Sequence, residues 1–328
     1  MAAAGAGLPG CRSSSAREVV AYVALDSEFS RPILEAFQRR TGIAVRPVFD
    51  LESTKTVGLA NRLIAERDRP RCDLFWNNEI LHTLRLEREG LLRPFAPAGV
   101  ESIPASFRDR DGKWYGFAAR ARVLIVNTER MGRPEDYPRS IMALAERRWA
   151  KRCGIARPLF GTTATHAAVL LARWGRDRAA AFFRQVREHA VVLAGNRQVA
   201  ESVARGELDF GITDTDDAVV QHAKGHPVRL IFPDQGPQQE GTLLIPNTVA
   251  LLRGAPHAAN GEALAEYLLS TEVERRLAAG RSAQIPLRPD SSKTHPLIPR
   301  KFKVMEVDFD AAAAVWHETV SLLERLFA

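Results

Sequence analysis

Three carboxylates fall within four residues at Asp214, Asp216 and Asp217, directly after the apolar run 208–213. Carboxylates this close repel one another unless a cation or basic side chains offset them, so the cluster is either fully solvated or faces a positively charged ligand. As hard oxygen donors, Asp216 and Asp217 with Glu79, and Asp26 beside them, could coordinate a hard cation. Arg120 and Arg122 offer the opposite chemistry. Two residues apart on a strand they share a face, and guanidinium groups donate paired hydrogen bonds to carboxylate, carbonate or phosphate. Ser53, Thr54 and Lys55 precede a helix beginning near Val57, and Thr162 and Thr163 follow Gly161 at the head of a helix running through His166. Hydroxyls and free N–H groups at a helix N-terminus make an anion site, although ordinary capping explains Ser or Thr there equally well. Trp76, followed by Asn77, Asn78 and Glu79, closes a short apolar run, and its indole could stack on an organic cation. A half-buried tryptophan at an edge is the plainer account, and His166, on an apolar helix, reads as core or cap rather than ligand.

Other chemistries find little support. Cys11, Cys72 and Cys153 are far apart and lack metal-ligand spacing. No Ser or Cys stands in a nucleophile motif beside a general base, and no glycine-rich nucleotide fingerprint follows the first strand. The chain has 328 residues, 45% hydrophobic and 26% charged, with a net charge of +7. It is long enough for two cores, and its arginines are spread and locally balanced by acids, which argues against a nucleic-acid partner. No run approaches the roughly 18–20 apolar residues that span a bilayer. Leu8-Pro9-Gly10-Cys11 looks like a bacterial lipobox, without a basic region before it, so export with lipidation at Cys11 is the expectation for residues 1–17.

The elements that would position these residues alternate. Short apolar runs at 19–24, 43–49, 72–76 and 123–126 are separated by helical patterns at 30–40, 57–67 and 81–89, the grammar of a parallel α/β sheet. Residues 140–149, 163–174, 178–188, 196–205, 260–269 and 311–327 also read as helices, with strands at 154–156, 208–213 and 247–252. Pro32 suits a first helical turn.

From Val19 to about Pro289 the chain resembles the family 1 extracellular solute-binding proteins, in the branch that holds ferric-iron-binding and thiamine-binding periplasmic proteins. The resemblance is carried by VVAYVALDSEFSRPILEAFQRRTGIAVRPVF, RCDLFWNNEILHTLRLEREGLL, WYGFAARARVLIVNTE and NTVALLRGAPHAANGEALAEYLLSTEVERRLA, in that order. It implies a type II periplasmic-binding-protein fold, with two α/β lobes hinged by crossing strands and closing over a ligand. The implied division is 18–120 for the first lobe, 121–245 for the second, 246–290 for the return, and 291–328 for a helical segment packed on the second lobe. Arg120 and Arg122 then fall at the lobe crossing, where ferric-binding relatives place an arginine holding an anion beside the metal. The implied function is the ligand-capturing component of an ABC importer, acting as a monomer with a permease and ATPase, outside the cytoplasm. The implied cargo is ferric iron with carbonate or phosphate, and no cofactor is expected. The chain departs from the ferric-binding pattern in one respect: Tyr22, Tyr115, Tyr137 and Tyr267 are its only tyrosines and none are adjacent. Thiamine, thiamine phosphate or an aminophosphonate are the alternative ligands, and a sensing domain or enzyme on the same fold is the alternative of another class.

Overall fold

The computed structural model describes residues 17–50, 57–289 and 294–327. Cys11, Ser53, Thr54 and Lys55 lie outside the described residues. The chain runs β1 (Glu18–Val23), α1 (Ser27–Thr41), β2 (Ala44–Phe49), α2 (Val57–Ala65), β3 (Leu74–Asn77), α3 (Leu81–Arg88), β4 (Leu92–Arg93), β5 (Trp114–Asn127) and α4 (Thr128–Met131). It continues through β6 (Cys153–Ala156), α5 (Gly161–Trp174), α6 (Arg176–His189), β7 (Val191–Leu193), α7 (Asn196–Ala204), β8 (Phe210–Asp214), α8 (Thr215–Ala223) and β9 (Val228–Ile231). The last elements are β10 (Leu244–Leu252), α9 (Ala258–Leu268), α10 (Thr271–Ala279), α11 (Phe309–Ala314) and α12 (Trp316–Phe327).

The strands follow the order β2-β1-β3-β10-β5-β8-β6-β7. The outer pairs are parallel, as the alternation of strand and helix requires. The central ones are not: β10 runs antiparallel to β3 and β5, and β5 antiparallel to β8 and β9. The sheet is therefore mixed rather than parallel throughout. β5 explains why. All 14 of its residues are buried; residues 114–121 pair with β10, and residues 122–126 pair with β8. One strand thus belongs to two sheets, and the chain changes halves at Arg120 to Arg122.

Each half has cores on both faces of its sheet. Phe37, Trp76 and Phe117 lie on one face of the first half, and Phe75, Leu84 and Ile245 on the other. In the second half, Leu124, Phe182 and Phe210 oppose Val123, Ile125 and Val203. Where β5 crosses, its register against β10 shifts at Pro246 and Asn247, and Ala118 takes a positive φ of 41°. Buried side chains hold that irregular backbone in place. Asn247 donates to the Ala118 carbonyl and to Gln284 Oε1 (2.5 Å). Glu274 Oε1 accepts from the N–H groups of Ala118 and Leu287, each at 3.0 Å.

Several local expectations are corrected. Residues 140–149 form two 3₁₀ turns, Ile141–Ala145 and Arg147–Trp149, instead of an α-helix. Four of the first five residues are buried in the core of the second half. Helix α1 begins at Ser27, so Pro32 lies inside it; the carbonyl it leaves without a donor belongs to exposed Glu28. The C-terminal helical pattern is divided at Val315. Helix α12 packs on α5 and α6, while α11 lies between α5 and α3 and so touches both halves.

Candidate functional site

A cleft opens where the two halves meet, lined by Asp26, Asn78, Arg120, Arg157, Phe160 and the starts of three helices of the second half. It encloses about 610 Å³ of space, solvent at its mouth included. Gly161, Thr162 and Thr163 open α5, Asn196 and Arg197 open α7, and Asp214 precedes α8, whose first turn carries Asp216 and Asp217. Among the described residues no side chain caps any of these three helices, or α1, which begins after Asp26. Uncapped first turns aim N–H groups and the positive end of the helix dipole at the cleft, although in α8 the Asp217 N–H donates to Asp216 Oδ1 at 3.0 Å.

The floor is a buried charge network. Arg122, 1% exposed, donates through Nη1 to Asp214 (2.7 Å), Thr162 (3.2 Å) and Asn196 (3.1 Å), and through Nη2 to Thr163 (3.2 Å). Arg120 Nη1 reaches Asp214 Oδ2 at 3.2 Å and Asp216 Oδ2 at 3.6 Å, and its Nη2 donates to the Asn78 carbonyl. Asp214 also accepts from the Thr162 hydroxyl at 2.7 Å and from Asn196 at 3.2 Å. Burial opposes ionisation of Asp214, but Arg122, Arg120 and the Thr162 hydroxyl outweigh it and hold its carboxyl below the usual range.

The structure therefore sorts the residues singled out in the sequence. Asp26, Asn78, Arg120, Thr162, Thr163, Asp214, Asp216 and Asp217 all line the cleft. Oxygen atoms of Asp214, Asp216 and Asp217 lie within 4.8 Å of one another. Arg122 lies beneath the floor and supports Asp214 instead of reaching the ligand space. The hydroxyls of Thr162 and Thr163 are neither caps nor ligand donors, because they stand inside the first turn and bond to Arg122, Asp214 and Asn196.

Two assignments are corrected. Trp76 is fully buried, stacks at a tilt on Phe117 (5.5 Å) and donates its indole N–H to Asn247 (3.2 Å), so no ligand can reach its face. Glu79 is not part of the acidic cluster. Its carboxylate accepts from the N–H groups of Leu81 (2.9 Å) and His82 (3.0 Å), from Asn77 (3.1 Å) and from the Thr165 hydroxyl across the cleft (2.8 Å). With its lone pairs taken, it heads α3 and ties the two halves together.

Sequence reasoning missed Asn196, Arg197, Arg157 and Phe160. Arg197 spans the cleft to Asp26 at 2.9 Å and Glu28 at 3.5 Å. The available signal was position: Arg157 and Phe160 lie between a short strand and the helix after it, and Asn196 and Arg197 open the helix that follows β7, where strand ends face a crevice in open α/β sheets. The tyrosines stay outside: none lines the cleft, and Tyr22 donates to Glu66 at 2.8 Å.

His166, one turn into α5, is buried beside Arg122. Burial, with Arg122 adding to it, pushes its pKa down from 6.5 to about 3. The folded chain therefore resists protonation that the unfolded chain accepts, so the contribution is present above pH 6.5 and drains away as pH falls towards 3. At about 1.4 kcal/mol per unit, acidification from about pH 6.5 to about pH 5 should cost roughly 2 kcal/mol. Urea titrations at the two pH values should show that loss in the wild type and a smaller one in His166→Asn.

A family model for bacterial extracellular solute-binding proteins matches residues 81–313. The major ferric iron-binding protein of Neisseria meningitidis serogroup A is 24% identical over 318 residues, covering 94% of this chain and 92% of that protein. Among solved structures, the apo ferric ion-binding protein A of Pasteurella haemolytica superposes with a TM-score of 0.83 at 21% identity, covering 95% of this chain and 98% of that one. A periplasmic binding protein of Actinobacillus pleuropneumoniae, solved with exogenous fructose-6-phosphate, gives a TM-score of 0.79 at 19% identity, covering 93% and 96%. The architecture is thus that of the type II periplasmic binding proteins, two α/β lobes joined by crossing strands.

Proposed function

Because this chain belongs to the bacterial extracellular solute-binding protein family, we propose that it is the capture component of an ABC importer, closing its cleft over a small ligand with an anionic group and delivering it to a permease outside the cytoplasm. One observation carries this reading: three uncapped helix N-termini and Arg120 converge on one cleft between the lobes. Backbone N–H groups and a guanidinium in a recess shielded from water bind phosphate, phosphonate or carbonate oxygens. Asp216 and Asp217, in the first turn of α8 with Asp216 3.6 Å from Arg120, suit an ammonium, hydroxyls or a metal ion. The lobes are 18–120 with the return 246–290, and 121–245. The β5 and β10 crossings serve as the hinge, and closure gives the permease its signal.

A phosphate- or phosphonate-bearing organic molecule is the ligand the geometry favours. No tyrosine lines the cleft, and Asp214, the innermost carboxylate, is already saturated by two arginines, Thr162 and Asn196. Ferric iron with a bound anion is the second reading, supported by the approach of the three aspartates and by the ferric-binding relatives. Isothermal titration of the purified chain with ferric citrate, ferric carbonate, thiamine monophosphate and 2-aminoethylphosphonate tests both. Arg120→Ala should weaken the captured ligand by at least about 30-fold, the smaller end of the cost of truncating a buried charged partner. Unchanged affinity in that variant would remove the cleft from the argument.

A further inference from the structure

Three arginines line the cleft and a fourth, Arg122, lies beneath its floor, and three of these four already face carboxylates. Arg120 and Arg122 are paired with Asp214 and Asp216, and Arg197 with Asp26 and Glu28. Arg157 is different. It lines the same cleft, its side chain is exposed, and among the described residues no carboxylate lies within ion-pair distance of it. Its backbone N–H donates to the Leu193 carbonyl at 2.7 Å, which anchors it one residue beyond β6. Three residues later Phe160, 43% exposed, borders the cleft immediately before the uncapped first turn of α5. On the opposite wall Asn78 is 2% exposed, and among the described residues its Oδ1 has no hydrogen-bond partner; the same holds for Nε of Arg120.

These features ask for different parts of one molecule. An un-neutralised guanidinium beside uncapped helical N–H groups attracts an anionic oxygen cluster. An exposed phenyl face offers apolar contact that a bare inorganic ion cannot use. A buried carbonyl oxygen without a donor requires an O–H or N–H from the ligand, since leaving it unpaired is costly.

We propose that Arg157 and Phe160 are the specificity-determining residues of the cleft, and that they select a phosphate or phosphonate ester whose organic body carries hydroxyl or ammonium donors and one apolar face. Arg157 and the head of α5 take the anionic group, Phe160 covers the body, and Asn78 accepts one of its donors. The inference rests on the cleft reading above and narrows its ligand class. Both side chains are exposed, so truncating them leaves the fold intact.

The test is isothermal titration of the full chain, wild type, Arg157→Gln, Phe160→Ala and Arg120→Ala, with fructose-6-phosphate, 2-aminoethylphosphonate, inorganic phosphate and ferric citrate. The wild type should bind at least one of the two organic compounds more tightly than inorganic phosphate. Arg157→Gln should weaken that compound roughly 10- to 150-fold, as expected for a hydrogen bond to a charged group. Phe160→Ala should weaken it about 2- to 12-fold and leave inorganic phosphate unaffected. If Arg120→Ala loses the ligand while Arg157→Gln and Phe160→Ala bind like wild type, the cleft reading stands and this inference falls. Binding of ferric citrate alone overturns it in favour of a metal cargo, and silence from all four compounds overturns both readings.

Discussion

Asp214→Ala is expected to lower the folding free energy by about 3–5 kcal/mol, the cost of breaking a buried ion pair from one side. Asp214 is 1% exposed and receives hydrogen bonds from Arg120, Arg122, Thr162 and Asn196. Without it Arg122 keeps only hydroxyl and amide partners for its charge, and Arg120 keeps Asp216 at 3.6 Å. The same change loosens the head of α5 and the start of α7, because Thr162 and Asn196 meet at this carboxylate, so ligand affinity should fall with stability. Urea denaturation followed by tryptophan fluorescence reads the first effect and titration calorimetry the second. A loss of under about 1 kcal/mol would mean that the network is solvated rather than buried.

Trp76 should match Asp214 in stability but not in ligand affinity. Trp76→Ala removes a fully buried indole packed on Phe117 and bonded to Asn247, for which about 3–5 kcal/mol of destabilisation is expected. Asn247 also bonds to the Ala118 carbonyl at the irregular stretch of β5, so the loss reaches the crossing itself. Trp76→Phe keeps most of the volume and should leave ligand affinity unchanged. A large drop in affinity with unchanged stability would return Trp76 to the ligand site.

Much of the architecture was legible in the sequence because strand and helix signals are local. The apolar run at 19–24 and the helix closed by Gly42 in a left-handed conformation announce themselves within a few residues. The antiparallel β10 and the double membership of β5 were hidden, because which strand lies beside which is set by contacts between residues roughly 85 to 175 apart in the chain. The same limit divided the candidate residues. Arg120 and Asp214 could be flagged because charged residues in apolar strands are conspicuous. Their pairing could not be foreseen, and so Asp214 looked like a ligand donor when its valence is already filled.

The sequence by itself determined the alternating α/β class, its resemblance to the solute-binding family implied the two lobes, and its residue types showed basic and acidic groups among the candidates. Only the tertiary structure decided how those groups divide between protein and ligand. It buried Trp76 and Arg122, committed Glu79 to α3 and Thr165, and left Arg157 and Phe160 facing the cleft. A residue's type states what bonds it can make. Whether they are already made depends on neighbours that folding brings from distant parts of the chain.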